Sequence, residues 1–98
     1  MKIIVRLYGV LRSLAGDRER IEIELDERDD LRLIRLIERL LEEYPELRRY
    51  ISVEDDKLRV RGVSIILNGQ HIMFLEGENT LLKNEDIIDL IPPVSGGI

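Results

Sequence analysis

The spacing of hydrophobic positions switches between two and three-to-four along this chain, and each switch marks an element. Ile3, Val5 and Leu7 alternate with Lys2, Ile4, Arg6 and Tyr8, which predicts a strand with one apolar face. Gly9 to Asp17 interrupts the alternation as a loop or short helical turn, with Leu11 and Leu14 packing beneath the domain and Gly16-Asp17 ending it. Ile21, Ile23 and Leu25 then alternate with Arg20, Glu22, Glu24 and Asp26. That is a second strand with one wet face, expected to pair antiparallel with the first.

The period then lengthens. Leu33, Ile34, Leu36, Ile37, Leu40, Leu41 and Tyr44 fill one broad face at helical spacing, opposite Arg32, Arg35, Glu38, Arg39, Glu42 and Glu43. Asp29 and Asp30 are placed to cap the N-terminus of this helix, Pro45 to end it, and Arg39 to pair with Glu43 one turn on. Glu46 to Arg61 reads as an irregular charged connection holding a short strand at Lys57–Val60. Val63, Ile65 and Leu67 alternate again, Asn68-Gly69 supplies a hairpin turn, and Gln70 to Phe74 returns as a short strand. Glu76 to Asn79 is a turn, Leu81-Leu82 a buried knuckle, and Lys83 to Asp86 a turn into the last strand, Ile87–Ile91. The order strand, strand, helix, strand, strand, strand predicts an α+β domain: one mixed sheet of about five strands with a single main helix on one face. If the last strand lies beside the first, the chain leaves from the middle of the sheet.

Composition narrows the function more than the fold. Ninety-eight residues, 44% of them hydrophobic, suffice for one domain with a real core. There is no cysteine, which removes disulfides, thiolate metal sites and a cysteine nucleophile. A net charge of −5 argues against nucleic acid as the main ligand. No apolar run reaches the length of a membrane span and Met1–Arg6 is too short for a signal peptide, so a cytoplasmic chain is expected. His71 is the lone histidine and has no partner at ligand spacing; a surface strand position is expected. Glu54-Asp55-Asp56 and Glu85-Asp86 lack the spacing of a calcium loop, and Gly62, Gly69 and Gly77 are too isolated to cradle phosphate. Nothing here resembles a self-sufficient active site, and no bound cofactor or metal is expected.

The chemistry concentrates instead in the tail. Pro92 and Pro93 stop the last strand and stiffen the exit, because proline lacks an N–H and holds φ near about −65°. Val94 to Gly97 reach about 13–14 Å when extended. Gly96 and Gly97 lack Cβ atoms, so a narrow channel in another protein can close around them. The division expected is a folded domain over 1–92 and a flexible tail over 93–98.

Val10 to Gly16, Leu67-Asn68-Gly69 and above all Asp86 to Gly97, with its Pro92-Pro93-Val94-Ser95-Gly96-Gly97 ending, resemble the small subunit of molybdopterin synthase. The resemblance spans nearly the whole chain and implies a ubiquitin-like sulfur carrier of the β-grasp fold. It implies that an E1-like activating enzyme uses ATP to adenylate the carboxylate of Gly97, after which sulfur displaces AMP and leaves a thiocarboxylate. It implies a second partner, the large subunit of the synthase, which receives the tail and passes the sulfur to a pterin precursor. Pro93, Val94, Ser95 and Gly96 would then line the partner's channel, and Phe74, Leu75 and Ile91 would form a docking patch.

Ile98 departs from this pattern, since it leaves Gly97 as an ordinary amide. Function as a carrier then requires removal of Ile98, by a protease or because the ending is not native. Related carriers for thiamine or tRNA thiolation, a protein modifier joined through Gly97 to lysines, and an inert ubiquitin-like interaction domain remain as alternatives.

Overall fold

The structure, a computed structural model, describes residues 1–93. Val94, Ser95, Gly96, Gly97 and Ile98, to which the sequence assigns the tail chemistry, lie outside the described residues.

A five-stranded mixed sheet carries the domain, in the order β2-β1-β7-β5-β6. Strand β1 (Lys2–Leu7) pairs antiparallel with β2 (Arg20–Glu24) and parallel with β7 (Ile87–Ile91). On its other side β7 pairs antiparallel with β5 (Ser64–Leu67), which turns into the two-residue β6 (Gln70–His71). The last strand is therefore central and lies beside the first, the arrangement in which the chain leaves from the middle of the sheet. Its Ile88 and Leu90 are fully buried together with Ile3, Val5, Leu7 and Ile65.

Helix α1 (Gly9–Leu14) follows β1 and buries Leu11, while Leu14 is partly buried against the core. Helix α2 (Leu33–Glu43) lays Leu33, Ile34, Leu36, Ile37, Leu40 and Leu41 into the core. Truncating a fully buried residue such as Leu36 to Ala is expected to cost about 2–5 kcal/mol. Arg39 pairs with Glu43 at 3.7 Å, as the one-turn spacing predicted.

Four local expectations are corrected. Neither Asp29 nor Asp30 caps α2; the cap residue is Arg32, with no side-chain cap. The segment 80–82 does that work through its backbone. Leu33 N–H donates to the Thr80 carbonyl at 2.8 Å, Leu82 N–H to the Leu31 carbonyl at 2.9 Å, and Arg32 bridges Leu81. Asp30 instead accepts from the backbone N–H and the guanidinium of Arg32. Second, 46–61 is not irregular: a 3-10 turn (Pro45–Arg49) leads into a hairpin of β3 (Ile51–Glu54) and β4 (Lys57–Val60). Asp55 and Asp56 make its two-residue turn at φ +51° and +59°, a conformation that Asp tolerates better than most side chains. Third, the strand after Gly69 stops at His71, and Ile72–Phe74 is a 3-10 turn. His71 caps that turn, its Nδ1 accepting from Met73 N–H at 3.0 Å. Fourth, only half of the Leu81-Leu82 knuckle is buried: Leu82 is 3% exposed and Leu81 67%.

Candidate functional site

Because side chains alternate across a strand, the sheet has an inner face on α2 and an outer face without a helix. Register places Arg20, Arg6, Asp89, Ile66 and His71 in one row across the outer face. In the middle of it, Asp89 accepts from Arg6 Nε at 2.6 Å and Arg6 Nη2 at 2.9 Å, a bidentate pair. It also accepts from the Tyr8 hydroxyl at 2.9 Å. The hydrogen bonds from Arg6, against the opposing effect of burial, hold the Asp89 carboxyl below its ordinary range. The bond to Asp89 raises the Tyr8 phenol, which stays a protonated donor. A lone carboxylate between Ile88 and Leu90 was the sequence signal for this cluster, since a largely buried acid on a central strand needs a cation on its neighbour.

This cluster fastens β7 just before the chain leaves the sheet. Ile91, on the next outward position, is 40% exposed. Pro92 then passes Gly9 and Pro93 passes Gly62, so the root of the tail lies against two glycines. Of the residues expected to dock a partner, Phe74 is exposed on the turn after β6, Ile91 is partly exposed on β7, and Leu75 is partly buried against the core. Tyr8, Val10, Met73 and Leu81 are further exposed hydrophobic residues outside the expected docking patch. Tyr8 and Val10 flank Gly9 in sequence and hence border the exit. Pro93 is placed as an exposed root residue, while Val94 to Gly97 lie outside the described residues.

A shallow cleft of about 240 Å³ opens between the β3–β4 hairpin and the 72–79 turns, walled mainly by Leu58, Val60, Val63, Ile72 and Met73. Among the described residues no group of three or more His, Asp or Glu side chains is arranged to hold a metal ion. No described helix is long and apolar enough to cross a membrane.

The ThiS family model matches residues 5–97. The chain belongs to the ThiS family. This is a family of ubiquitin-like β-grasp sulfur carriers, and the mixed sheet crossed by α2 is its fold. Small archaeal modifier protein 3 of Haloferax volcanii is 28% identical over 97 residues, covering 99% of this chain and all of the relative. The solution structure of small archaeal modifier protein 1 from Methanosarcina acetivorans is 33% identical with a TM-score of 0.78, covering 98% of this chain and 96% of that one. A Pyrococcus furiosus protein described as a molybdopterin converting factor, subunit 1, is 27% identical with a TM-score of 0.74, covering 96% and 99%. The family match ends on Gly97, one residue short of Ile98.

Proposed function

We propose that this ThiS-family chain carries sulfur as a thiocarboxylate on Gly97 and donates it to a pterin precursor in molybdopterin synthesis, after removal of Ile98. The observation that carries the reading is the exit of the chain: a central strand, pinned through Asp89, ends at two prolines, and in the sequence Val94-Ser95-Gly96-Gly97 follow directly. The family match ending on Gly97 supports that residue as the carrier terminus, and the Pyrococcus relative supports the pterin branch.

The chemistry suits a bare glycine end. The Gly97 carboxylate attacks the α-phosphorus of ATP on an E1-like activating enzyme, releasing pyrophosphate and forming an acyl-adenylate. A hydrosulfide-level sulfur donor then attacks the acyl carbon, AMP leaves, and the thiocarboxylate remains. A synthase large subunit would take the tail into its channel, with Pro93, Val94, Ser95 and Gly96 lining the way. Phe74, Leu75 and Ile91 would dock these partners, and ATP is consumed by the activating enzyme rather than held by this chain.

A second reading has a specific observation in its favour: two of the relatives named above are described as modifier proteins. On that reading the activated Gly97 is joined to target lysines. The discriminating experiment supplies the chain ending at Gly97 with ATP, its host's activating enzyme and a sulfur donor. Large subunit and cyclic pterin precursor are then added in one arm and host proteins in the other. Formation of a dithiolene pterin supports the carrier; isopeptide adducts without pterin conversion support the modifier and overturn the leading reading.

A further inference from the structure

Five of the described glycines sit at positive φ, and in three of them, Gly16, Gly69 and Gly77, the place a Cβ would occupy has no neighbour within 4 Å. Backbone conformation alone accounts for those three. The other two are different, and both face the tail. A Cβ on Gly9 would fall 3.0 Å from Pro92 Cγ, and one on Gly62 would fall 2.8 Å from Pro93 Cβ and 3.4 Å from its Cγ. Carbon atoms rest at about 3.5–4.0 Å, so Gly62 has no room for a methyl group and Gly9 admits one only if the Pro92 ring gives way by a few tenths of an ångström.

Separate parts of the core hold the two walls of this slot. Gly9 begins α1 directly after β1, and the buried Leu11 fastens it. Gly62 lies between β4 and β5, where Arg61 N–H donates to the Tyr50 carbonyl at 2.8 Å and Val63 is buried. The prolines between these walls have φ fixed by their rings. Fixed φ at both prolines, together with these two close contacts, narrows the directions open to the chain beyond them.

We propose that Gly9 and Gly62 are positioning residues, forming a Cβ-free slot that clamps Pro92-Pro93 and sets the direction in which Gly97 is delivered to the activating enzyme. The inference rests on the carrier reading above. Displacing the root should slow the reaction itself, because small misplacements of a reacting group slow catalysis steeply.

Gly16 supplies the control. Its φ of +68° matches the +70° of Gly62, so Ala at either position meets the same backbone strain, but only Gly62→Ala meets Pro93. Gly62→Ala and Gly16→Ala are therefore compared in the full chain by amide NMR, and in the chain ending at Gly97 by the kinetics of adenylation. Gly62→Ala is expected to shift the Val94 and Ser95 amides and to lower kcat by about tenfold or more with KM little changed. Gly16→Ala should do neither, at a similar loss of melting temperature. Pro93→Ala, which leaves both glycines intact, should also lower kcat and covers the case in which Gly62→Ala does not fold. Tail amides and kcat that respond alike to Gly62→Ala and Gly16→Ala, or a Pro93→Ala chain adenylated at the wild-type rate, would overturn the slot. If the wild-type chain ending at Gly97 is not adenylated at all, the carrier reading fails, and the Val94 and Ser95 amides still decide the slot.

Discussion

Arg6 and Asp89 are register partners across the parallel β1–β7 pair, and Arg6 Nε stands 2.6 Å from Asp89 Oδ1. The pair joins the first strand to the strand from which the tail departs. Its carboxylate side chain is 12% exposed, while the guanidinium is 46% exposed and partly screened. Asp89→Asn is expected to cost about 1–2 kcal/mol, which for a domain of this size lowers the melting temperature by about 5–10 °C. The Asp89 carboxyl titrates below its unfolded value because of Arg6. Its contribution is therefore complete above the unfolded carboxylate range near about pH 4 and is lost as pH falls through the lower folded value. Thermal melts from neutral pH into the acid range should show that decline in the wild type and a weaker one in Asp89→Asn.

The hairpin is held to the helix by charge. Arg35 Nη2 lies 2.6 Å from Asp56 Oδ1, Arg32 and Arg35 both contact Asp30, and Arg35 also pairs with Glu38. Hydrogen bonds from Arg35 lower Asp56 and those from Arg32 lower Asp30. Protonation below their folded values should free the turn at 55–56. Hydrogen exchange at Arg59, the register partner of Ser52 across the hairpin, should accelerate several-fold in Asp56→Asn, and in the wild type at high salt, with the amides of β1 and β7 unchanged.

Exposure separates docking from stability among the apolar residues after β6. Phe74 is 73% exposed, so Phe74→Ala should leave stability within about 0.5 kcal/mol of wild type. Leu82, 3% exposed, should cost about 2–5 kcal/mol when cut to Ala. If Phe74 docks a partner, Phe74→Ala weakens binding to the activating enzyme or large subunit by about tenfold, or ~1.4 kcal/mol. Calorimetric titration of the folded variant measures this directly, and unchanged affinity would remove Phe74 from the docking surface.

The parts of the fold legible in the sequence are those with long, high-contrast periods. Strands β1 and β2, helix α2 and the central β7 follow from Ile3/Val5/Leu7, Ile21/Ile23, the Leu33–Leu41 face and Ile87–Ile91. The β3–β4 hairpin was harder. Ile51 and Val53 alternate over only four residues, and its turn uses Asp55-Asp56 where Asn-Gly is the usual mark. Adjacent leucines 81 and 82 look alike in sequence; pairing of 80–82 with the entry to α2 decides which is buried. At the candidate site, the tail motif is local and readable. The slot at its root is not, because Gly9 and Gly62 meet Pro92 and Pro93 only after folding brings together positions far apart in the chain.

Conversion of Gly97 to a thiocarboxylate is tested most directly by intact mass spectrometry of the chain expressed with its native host's enzymes. The expected product has lost Ile98 and gained the mass of one sulfur in place of one oxygen, and it vanishes when Gly97 is deleted. A chain that keeps Ile98 and its unmodified mass, in cells that make the activating enzyme and sulfur donor, would contradict it.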